Sequence, residues 1–407
     1  MDFKTYAKSY QSNISLELAR VEKLLEKCSF PDKDLKIIHV AGTNGKGSVS
    51  SFIAKGLEYM GGKCGRFSSP ELYDITDTIS VNGENITVSE LDKIYSFLEP
   101  LCDEVFAEIG ESPSQFEINF VASLLFFKSK NCTHAVIECG MGGLGDATNA
   151  IGDSCVCVIT KISLDHMTYL GDSLDKIAEN KCGIFKKSSK VFTTPENVPV
   201  MHIIEENAKN NALEVCNSLD HKPMNDMHSI VQVGEKWVKL SLKGTHQVYN
   251  ASLASAVLSY LGADEQQIAY ALSNAKNRAR CEFIKENICF DGAHNPDGVK
   301  ALVDSINSMD IKGKVIFVTG FMKDKDYVGA LSHLKNLKIK DFEIYTVNVN
   351  SNPRSEKSEI LKSEIEKLGF KATSFSDVNT ALDMAEGKAD FIFIFGSLYL
   401  YKEIKRR

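Results

Sequence analysis

The chain carries an apolar run of strand length at Lys36–Ala41 (KIIHVA), and the glycine-rich sequence GTNGKGS follows it directly at Gly42–Ser48. After this loop, the apolar residues between Val49 and Met60 fall on one helical face, and Gly61-Gly62 predicts the end of that helix. Further short apolar runs alternate with amphipathic helical patterns along the chain. This alternation is typical of parallel α/β folds.

The glycine-rich loop predicts a phosphate site. Glycines let the backbone wrap closely around a phosphate, while loop amides and the helix N-terminus point their positive ends at it. Lys46 would offset the charge of the terminal phosphates. The sequence departs from the standard P-loop, because Val40 stands where the first glycine belongs and Gly47 follows the lysine. A turn that merely caps a helix is the alternative, and the strand–loop–helix context favours phosphate.

The composition indicates an ordinary globular protein. The chain has 407 residues, of which 43% are hydrophobic and 25% charged, and its net charge is −7. This charge argues against a nucleic-acid partner. We expect no membrane partner, because the longest apolar stretch, Phe391–Tyr401, is broken by Gly396 and too short to span a bilayer. Met1–Tyr10 lacks the apolar core of a secretion signal, and the 11 scattered cysteines suit reduced thiols, so we expect a cytoplasmic protein.

The order of the patterns predicts two domains, residues 1–276 and 277–407. Candidate strands at Ala135–Cys139 and Cys155–Thr160 continue the first series. We interpret residues 188–245 as β-rich excursions of the first domain. The second series has candidate strands at Ile288–Phe290, Lys314–Thr319, Phe342–Val347 and Phe391–Phe395, with helical patterns at Val299–Ser308, Tyr327–Leu337, Ser358–Leu368 and Val378–Ala385.

Polar residues follow the strands of the first series, where ligands lie in open parallel sheets. Glu138 comes near the end of one strand, and Asp165-His166 follows the next by a few residues. A carboxylate and an imidazole near a nucleotide could hold Mg²⁺ together with phosphate oxygens and water. A strand-end salt bridge for Glu138 and a surface position for His166 are the alternatives.

Lys181 lies on the apolar stripe of the helical pattern Ser173–Phe185, four residues after Ile177. Burying a bare ammonium is costly. The side chain must therefore extend to solvent, pair with an acid, or be chemically modified, and a carbamylated lysine would be anionic and could help to bind a cation.

Taken in order, the motifs resemble those of the folylpolyglutamate synthase/dihydrofolate synthase family, a branch of the Mur ligase superfamily. Any one motif is weak, but the ordered set spans nearly the whole chain. The matching stretches are His39–Ser48, Ser68–Pro70, Phe116-Glu117, Glu138–Gly143, Asp146–Asn149, Leu164–His166, Glu179–Ile184, His246-Gln247 with Asn250, Asp291–Pro296, Lys323–Asp326, Pro353-Arg354 and Gly396–Leu398.

The resemblance implies a Mur-ligase-like, P-loop ATP-binding domain followed by a smaller Rossmann-like α/β domain. It implies an ATP-dependent ligase that adds L-glutamate to a folate within folate biosynthesis and one-carbon metabolism, and it leaves dihydropteroate open as a second acceptor. ATP would phosphorylate the acceptor carboxylate, and the amine of glutamate would displace phosphate from the acyl phosphate. ATP and Mg²⁺ would be required, a monovalent cation is allowed as a further cofactor, and the protein would be a monomer.

The resemblance also assigns the site residues. The ATP phosphates would contact Thr43, Asn44, Gly45, Lys46, Gly47 and Ser48. From across a cleft between the domains, the nucleotide would contact Asn250, Arg280 and Asp291. Mg²⁺ would bind to Ser69, Glu138 and His166. The catalytic set would be Lys46, Lys181 in carbamylated form, His166, Glu138 and His294. The pterin-side acceptor would contact Ser114, Gln115, Phe116, Glu117, Gly145, Asp146 and Ala147, and the incoming glutamate His294 and Ser397.

Departures from the family pattern fall mostly on the acceptor side. Thr78 and Leu144 each stand where an arginine is common, Glu71 replaces a histidine, and Phe120 replaces a threonine. Ala279 stands where a glycine is typical. The loss of two cations leaves the acceptor open. A Mur-type amide ligase with a different carboxylate acceptor is therefore the alternative, and a non-catalytic ATP-binding module is a third hypothesis.

Overall fold

The computed structural model describes residues 17–404, so Met1–Tyr10 lies outside the described residues. The contacts divide the chain into two compact units. The first contains residues up to Ile162 together with Met167–Ser218 and Tyr249–Ala275. The second contains Ser163–His166, Leu219–Val248 and the residues from Lys276 onward.

This division differs from the predicted one in the middle of the chain. Residues 188–245 were expected on the first domain, whereas the structure assigns Leu219–Val248 to the second unit. The physical reason is that this segment forms a separate antiparallel sheet instead of extending the first one, and its Met227 is buried in the core of the second unit. Only two strands of the predicted β-rich region join the first sheet.

The first unit is built on an eight-stranded sheet with the order β4-β3-β2-β5-β1-β6-β7-β8. Six neighbouring strands are parallel, and β3 and β4 form an antiparallel edge. The strands are β1 (Lys36–Ala41), β2 (Cys64–Phe67), β3 (Ile79–Val81), β4 (Glu84–Asn85), β5 (His134–Glu138), β6 (Val156–Ile159), β7 (Lys190–Thr193) and β8 (Ala212–Val215). Because β5 and β6 flank β1, the loop after β1 opens at the point where the strand order reverses, which is where α/β sheets bind ligands.

Helices cover this sheet and begin at polar caps. Thr87 with Glu90, and Asp264 with Gln267, form capping boxes in which each residue satisfies the other's backbone amide. The α-helices associated with this part of the chain are Ala19–Lys27, Lys46–Tyr59, Val88–Ile109, Gln115–Ser129, Met167–Leu170, Leu174–Cys182, Met201–Asn207, Gln247–Tyr260 and Glu265–Asn274, and the short 3₁₀ helices are Ile75–Thr78, Ala147–Ala150 and Pro195–Val200.

The second unit has a six-stranded sheet with the order β12-β13-β17-β14-β15-β16 and a three-stranded sheet with the order β11-β10-β9. The larger sheet is parallel except for its edge strand β12. The strands are β9 (His221–Pro223), β10 (Ser229–Val233), β11 (Lys236–Lys239), β12 (Glu282–Lys285), β13 (Ile288–Phe290), β14 (Val315–Thr319), β15 (Phe342–Val347), β16 (Ala372–Phe375) and β17 (Phe391–Phe395). The helices are Pro296–Ile306, Tyr327–Ser332, Ser358–Lys367, Val378–Ala385, Leu400–Glu403 and the 3₁₀ helix His333–Asn336.

The predicted α/β class is confirmed, and the predicted strands of the second series match the observed ones to within one residue at each end. The predicted helix Tyr327–Leu337 is shorter, because the chain tightens into a 3₁₀ turn at His333. Between residues 17 and 404, no helix is long and apolar enough to cross a membrane.

Candidate functional site

In the first unit, the loop after β1 is shaped by two glycines that no other residue could replace without strain. Gly42 has φ +148°, and a Cβ there would lie 1.8 Å from Thr160 Oγ1. Gly45 has φ +93°, and a Cβ there would lie 2.4 Å from Asn250 Oδ1. Asn250 was expected to reach the nucleotide from the other domain, but it belongs to the same unit as Gly45, against which it lies.

The rest of the loop is held by the residue Lys161, which follows β6, and by the helix that follows the loop. The amides of Thr43 and Asn44 both donate to the carbonyl of Lys161, at 2.8 and 3.2 Å. The helix begins at Lys46, and Ser48 is buried in its first turn. The free amides of a helix N-terminus carry partial positive charge, so this end of the helix favours an anion.

Two lysine ammonium groups converge on this loop. Lys46 Nζ donates to the carbonyl oxygens of Gly42 at 3.1 Å and of Thr43 at 3.3 Å. Lys181 Nζ donates to the same Gly42 oxygen at 2.8 Å, although its side chain is only 3% exposed. As predicted, Lys181 lies on the buried face of its helix beside Ile177. Two positive charges are thus held at the carboxyl end of β1.

The carboxyl ends of neighbouring strands carry oxygen donors suited to Mg²⁺. Glu138 ends β5 opposite Val40 and is 4% exposed, and Ser69 follows β2, the other neighbour of β5. Within residues 17–404, no group of three or more His, Cys, Asp or Glu side chains is placed to hold a metal. Carboxylate and hydroxyl oxygens fit Mg²⁺, which keeps several ligands from phosphate and water, so the donor set suits a cation brought with a nucleotide.

Sequence reasoning missed Arg66, which lies in the middle of β2. Its Nη2 donates to the carbonyl of Gly47 at 3.1 Å, so it supports the loop from the side of β2. Burial lowers the pKa of the Arg66 guanidinium, and the negative charge of Glu138 acts in the opposite direction. A charged residue within an otherwise apolar strand was the only signal that the sequence offered.

The predicted acceptor residues 114–117 begin the helix Gln115–Ser129. Ser114 caps this helix, and its amide donates to Glu117 Oε2. Arg20 donates to Glu117 Oε1 from its Nε and Nη2 atoms, at 3.3 and 3.1 Å, and both side chains are almost fully buried. Glu117 therefore has a structural role here. Gln115 is exposed, and the Phe116 ring lies over Gly140, two residues after Glu138.

The buried carboxylate of Asp146 holds the second segment that was predicted to contact the acceptor substrate, residues 145–147. It accepts hydrogen bonds from the amide of Met141 at 2.7 Å and from the hydroxyl of Thr148 at 2.6 Å. Thr148 Oγ1 lies 2.8 Å from His39 Nε2 in β1, and burial lowers the pKa of His39 to about 3. Desolvation raises the pKa of Asp146. Gly145 is half-buried and Ala147 buried beside it, so this loop is tied to the strand beneath the glycine-rich loop.

In the second unit, Asp291 organises the loop after β13. Its Oδ2 accepts from the amide of Cys281 at 2.8 Å, and its Oδ1 from the amide of Ala293 at 2.8 Å. Arg280 lies between two residues in the left-handed region, Ala279 with φ +57° and Cys281 with φ +43°. The two residues predicted to contact the nucleotide, Arg280 and Asp291, are thus brought together.

His294 and Ser397, the predicted glutamate-binding residues, follow neighbouring strands of the second sheet. The amide of Gly396 donates to the carbonyl of Ala293 at 2.8 Å, which joins the loops that carry them. Ser397 is 3% exposed, and its Oγ accepts from the amide of Tyr399 at 3.2 Å. Ser397 therefore also shapes the turn that precedes the helix Leu400–Glu403.

His166, predicted as a metal ligand, is grouped with the second unit, where it belongs to an ion cluster around Asp165. Asp165 Oδ1 accepts from Lys325 Nζ at 2.7 Å, and Oδ2 accepts from Asn295 Nδ2 at 3.0 Å. Lys325 Nζ also lies 3.2 Å from His166 Nε2. Burial alone would raise the pKa of Asp165, but hydrogen bonding and charge from His294, Lys325 and His166 lower it below its usual range. Sequence reasoning gave no role to Asp165, Asn295 or Lys325, although all three lie within the quoted motifs.

Comparisons with known proteins agree with this geometry. The Mur ligase middle domain matches residues 40–258, and the Mur ligase glutamate ligase domain matches residues 279–398. Dihydrofolate synthetase of Saccharomyces cerevisiae is 34% identical over 80% of this chain and 78% of its own. The structure of Escherichia coli FolC with DHPP and ADP is 26% identical, with a TM-score of 0.85 over 98% of this chain and 95% of that one. A bifunctional folylpolyglutamate synthase/dihydrofolate synthase with Mn, AMPPNP and L-glutamate bound is 27% identical, with a TM-score of 0.82 over 98% and 96% of the two chains.

Proposed function

This chain belongs to the dihydrofolate synthase/folylpolyglutamate synthase family of Mur ligases, and on that premise we propose that it is an ATP-dependent ligase that joins L-glutamate to a folate. The acceptor carboxylate attacks the γ-phosphorus of ATP and releases ADP. The amine of glutamate then attacks the acyl carbon, phosphate leaves with the C–O electron pair, and the amine loses a proton. The net products are an amide, ADP and phosphate.

The observation that carries this proposal is the glycine-rich loop at the start of its helix, where Lys46 donates to the carbonyl of Gly42 at 3.1 Å. A carboxylate is a poor electrophile, and its phosphorylation brings several negative charges together. Fixed cations and helix amides stabilise such charge without reorganisation. The glycine-rich loop and the start of the helix supply the amides, and Lys46 supplies an ammonium group.

Glu138 and Ser69 would hold a divalent cation. Such a cation would neutralise phosphate charge and orient the terminal phosphoryl group. Mn in a related structure supports a divalent metal in this family. We further propose that Lys181 is carbamylated, because a bare ammonium is costly to bury and the carbamate would be an anion that helps to bind the cation. A monovalent cation, a monomeric state and a cytoplasmic location complete the proposal.

The acceptor distinguishes two versions of this function. Dihydropteroate would make the chain a dihydrofolate synthase, and tetrahydrofolate would make it a folylpolyglutamate synthase. The related chains named above include a dihydrofolate synthetase and a bifunctional enzyme. The Mur-type alternative, with another carboxylate acceptor, rests on Thr78 and Leu144. Thr78 is 4% exposed, and its hydroxyl donates to the carbonyl of Ile75, so this position supplies no cation.

The test is glutamate-dependent ADP release by purified protein with each acceptor in turn. Dihydropteroate, tetrahydrofolate and a nucleotide-linked cell-wall precursor should be compared under the same conditions, with the Lys46→Met variant as the inactive control. We expect turnover with one or both pterin acceptors and none with the cell-wall precursor. Turnover with the cell-wall precursor alone would establish the alternative function. ADP release at the same rate with and without glutamate would contradict the ligase proposal altogether.

A further inference from the structure

His294 is surrounded by hydrogen-bond acceptors on both of its ring nitrogens. Its Nδ1 lies 2.9 Å from the carbonyl oxygen of Gly292, which can only accept. Its Nε2 lies 3.3 Å from Asp165 Oδ2, a carboxylate oxygen that also accepts. Because both ring nitrogens face oxygen atoms, the imidazole is held in one orientation.

Asp165 is held rigidly enough to impose this arrangement. Asn295 donates its Nδ2 to Asp165 Oδ2, while its Oδ1 accepts from the amide of Gly298 and caps the helix Pro296–Ile306. The orientation of the Asn295 amide is thus fixed from both sides. Lys325 donates to Asp165 Oδ1 at 2.7 Å, and the Lys325 and Asp165 side chains are 10% and 9% exposed. A carboxylate in this environment cannot turn away without leaving charged donors unpaired.

The same carboxylate holds His294 and Lys325 together, because it contacts both side chains. The His294 side chain is 26% exposed, whereas the side chains of Asp165 and Lys325 are 9% and 10% exposed. Of these three side chains, the imidazole is therefore the one that a ligand can most readily reach. Within the proposed function, that ligand is the amino acid that is joined to the acceptor.

We infer that Asp165 is a positioning residue for the amino-acid substrate: it holds the His294 ring in one orientation, while Lys325 balances the charge of the carboxylate. This inference rests on the proposed function and on the role that the resemblance implies for His294, which is contact with the incoming glutamate. It adds Asp165 and Lys325 to the site. It also explains why the segment Ser163–His166 groups with the second unit while both of its flanks belong to the first.

The test uses the full-length protein in the ADP-release assay, with glutamate and ATP varied separately. Asp165→Asn keeps the size of the side chain and removes its charge. We expect the KM for glutamate to rise at least tenfold and the KM for ATP to stay within twofold. Asp165→Glu should recover part of the loss. Asp304→Asn is the matched control, because Asp304 pairs with Lys300 on the exposed face of a helix in the same unit.

A double-mutant cycle separates positioning from general structural support. If Asp165 acts through His294, adding Asp165→Asn to His294→Gln should change the KM for glutamate less than twofold. An unchanged KM for glutamate in Asp165→Asn, or equal losses for glutamate and ATP with a lower melting temperature, would overturn the inference. If Asp165→Asn does not fold, Asp165→Glu carries the same test. Wild-type protein without glutamate-dependent turnover would instead refute the proposed function, and the inference with it.

Discussion

Replacing Gly45 with alanine should damage nucleotide use much more than it damages the fold. Gly45 has φ +93°, where an alanine costs roughly 1–2 kcal/mol. The added Cβ would also lie 2.4 Å from Asn250 Oδ1, so either the amide or the loop must move. We propose the amides at the start of the following helix as phosphate donors, so a small displacement of the loop would misalign several of them at once. We expect kcat/KM for ATP to fall at least tenfold, which corresponds to about 1.4 kcal/mol.

Gly61 offers a matched control at the other end of the same helix. It has φ +86°, but a Cβ there meets nothing within 4 Å, so Gly61→Ala carries the backbone strain without the collision. Both variants should lose about 1–2 kcal/mol of unfolding free energy, or roughly 2–8 °C in Tm for a unit of this size. Only Gly45→Ala should lose ATP-dependent turnover in the ADP-release assay. If kcat/KM for ATP agrees within twofold between the two variants, the loop is not the phosphate site.

Four further perturbations test other parts of the structure. Lys46→Ala should abolish ADP release, and near-normal turnover would remove it from the phosphate site. Lys181→Ala should cripple activity, and wild-type activity should depend on bicarbonate; mass spectrometry or a high-resolution map showing an unmodified amine in active protein would exclude carbamylation. Ala279→Gly should raise the free energy of unfolding by about 1 kcal/mol, because φ +57° favours glycine, and denaturant titration would show no gain if the strain is absent. Burial lowers the pKa of His39 to about 3, so the folded state resists protonation that the unfolded chain accepts below about pH 6.5. Stability should therefore fall as the pH drops from 6.5 towards 3, by about 1 kcal/mol per pH unit more than in His39→Gln, and parallel pH profiles would contradict this.

The sequence determined the local elements because their signals are local. The apolar run Lys36–Ala41 and the glycines that follow it specify a strand, a tight loop and a helix start without reference to the rest of the chain. The same holds for strands such as Phe391–Phe395, which are apolar throughout because both faces of a parallel sheet are covered. Even the buried position of Lys181 followed from helical periodicity. The ordered motifs then indicated the family, which the comparisons confirmed.

Which distant side chains meet depends on the tertiary structure. No periodic pattern in the sequence indicates that Arg20 pairs with Glu117. Nor does a pattern indicate that Arg66 donates to the carbonyl of Gly47. The same is true of the pair formed by Asp165 and Lys325, which are 160 residues apart. The prediction that residues 188–245 belong to the first domain was wrong for residues 219–245 for the same reason. A short antiparallel sheet carries no local signal for the core against which it packs. Strand and helix formation depends on neighbours along the chain, whereas charge pairing depends on how the sheets bring remote loops together.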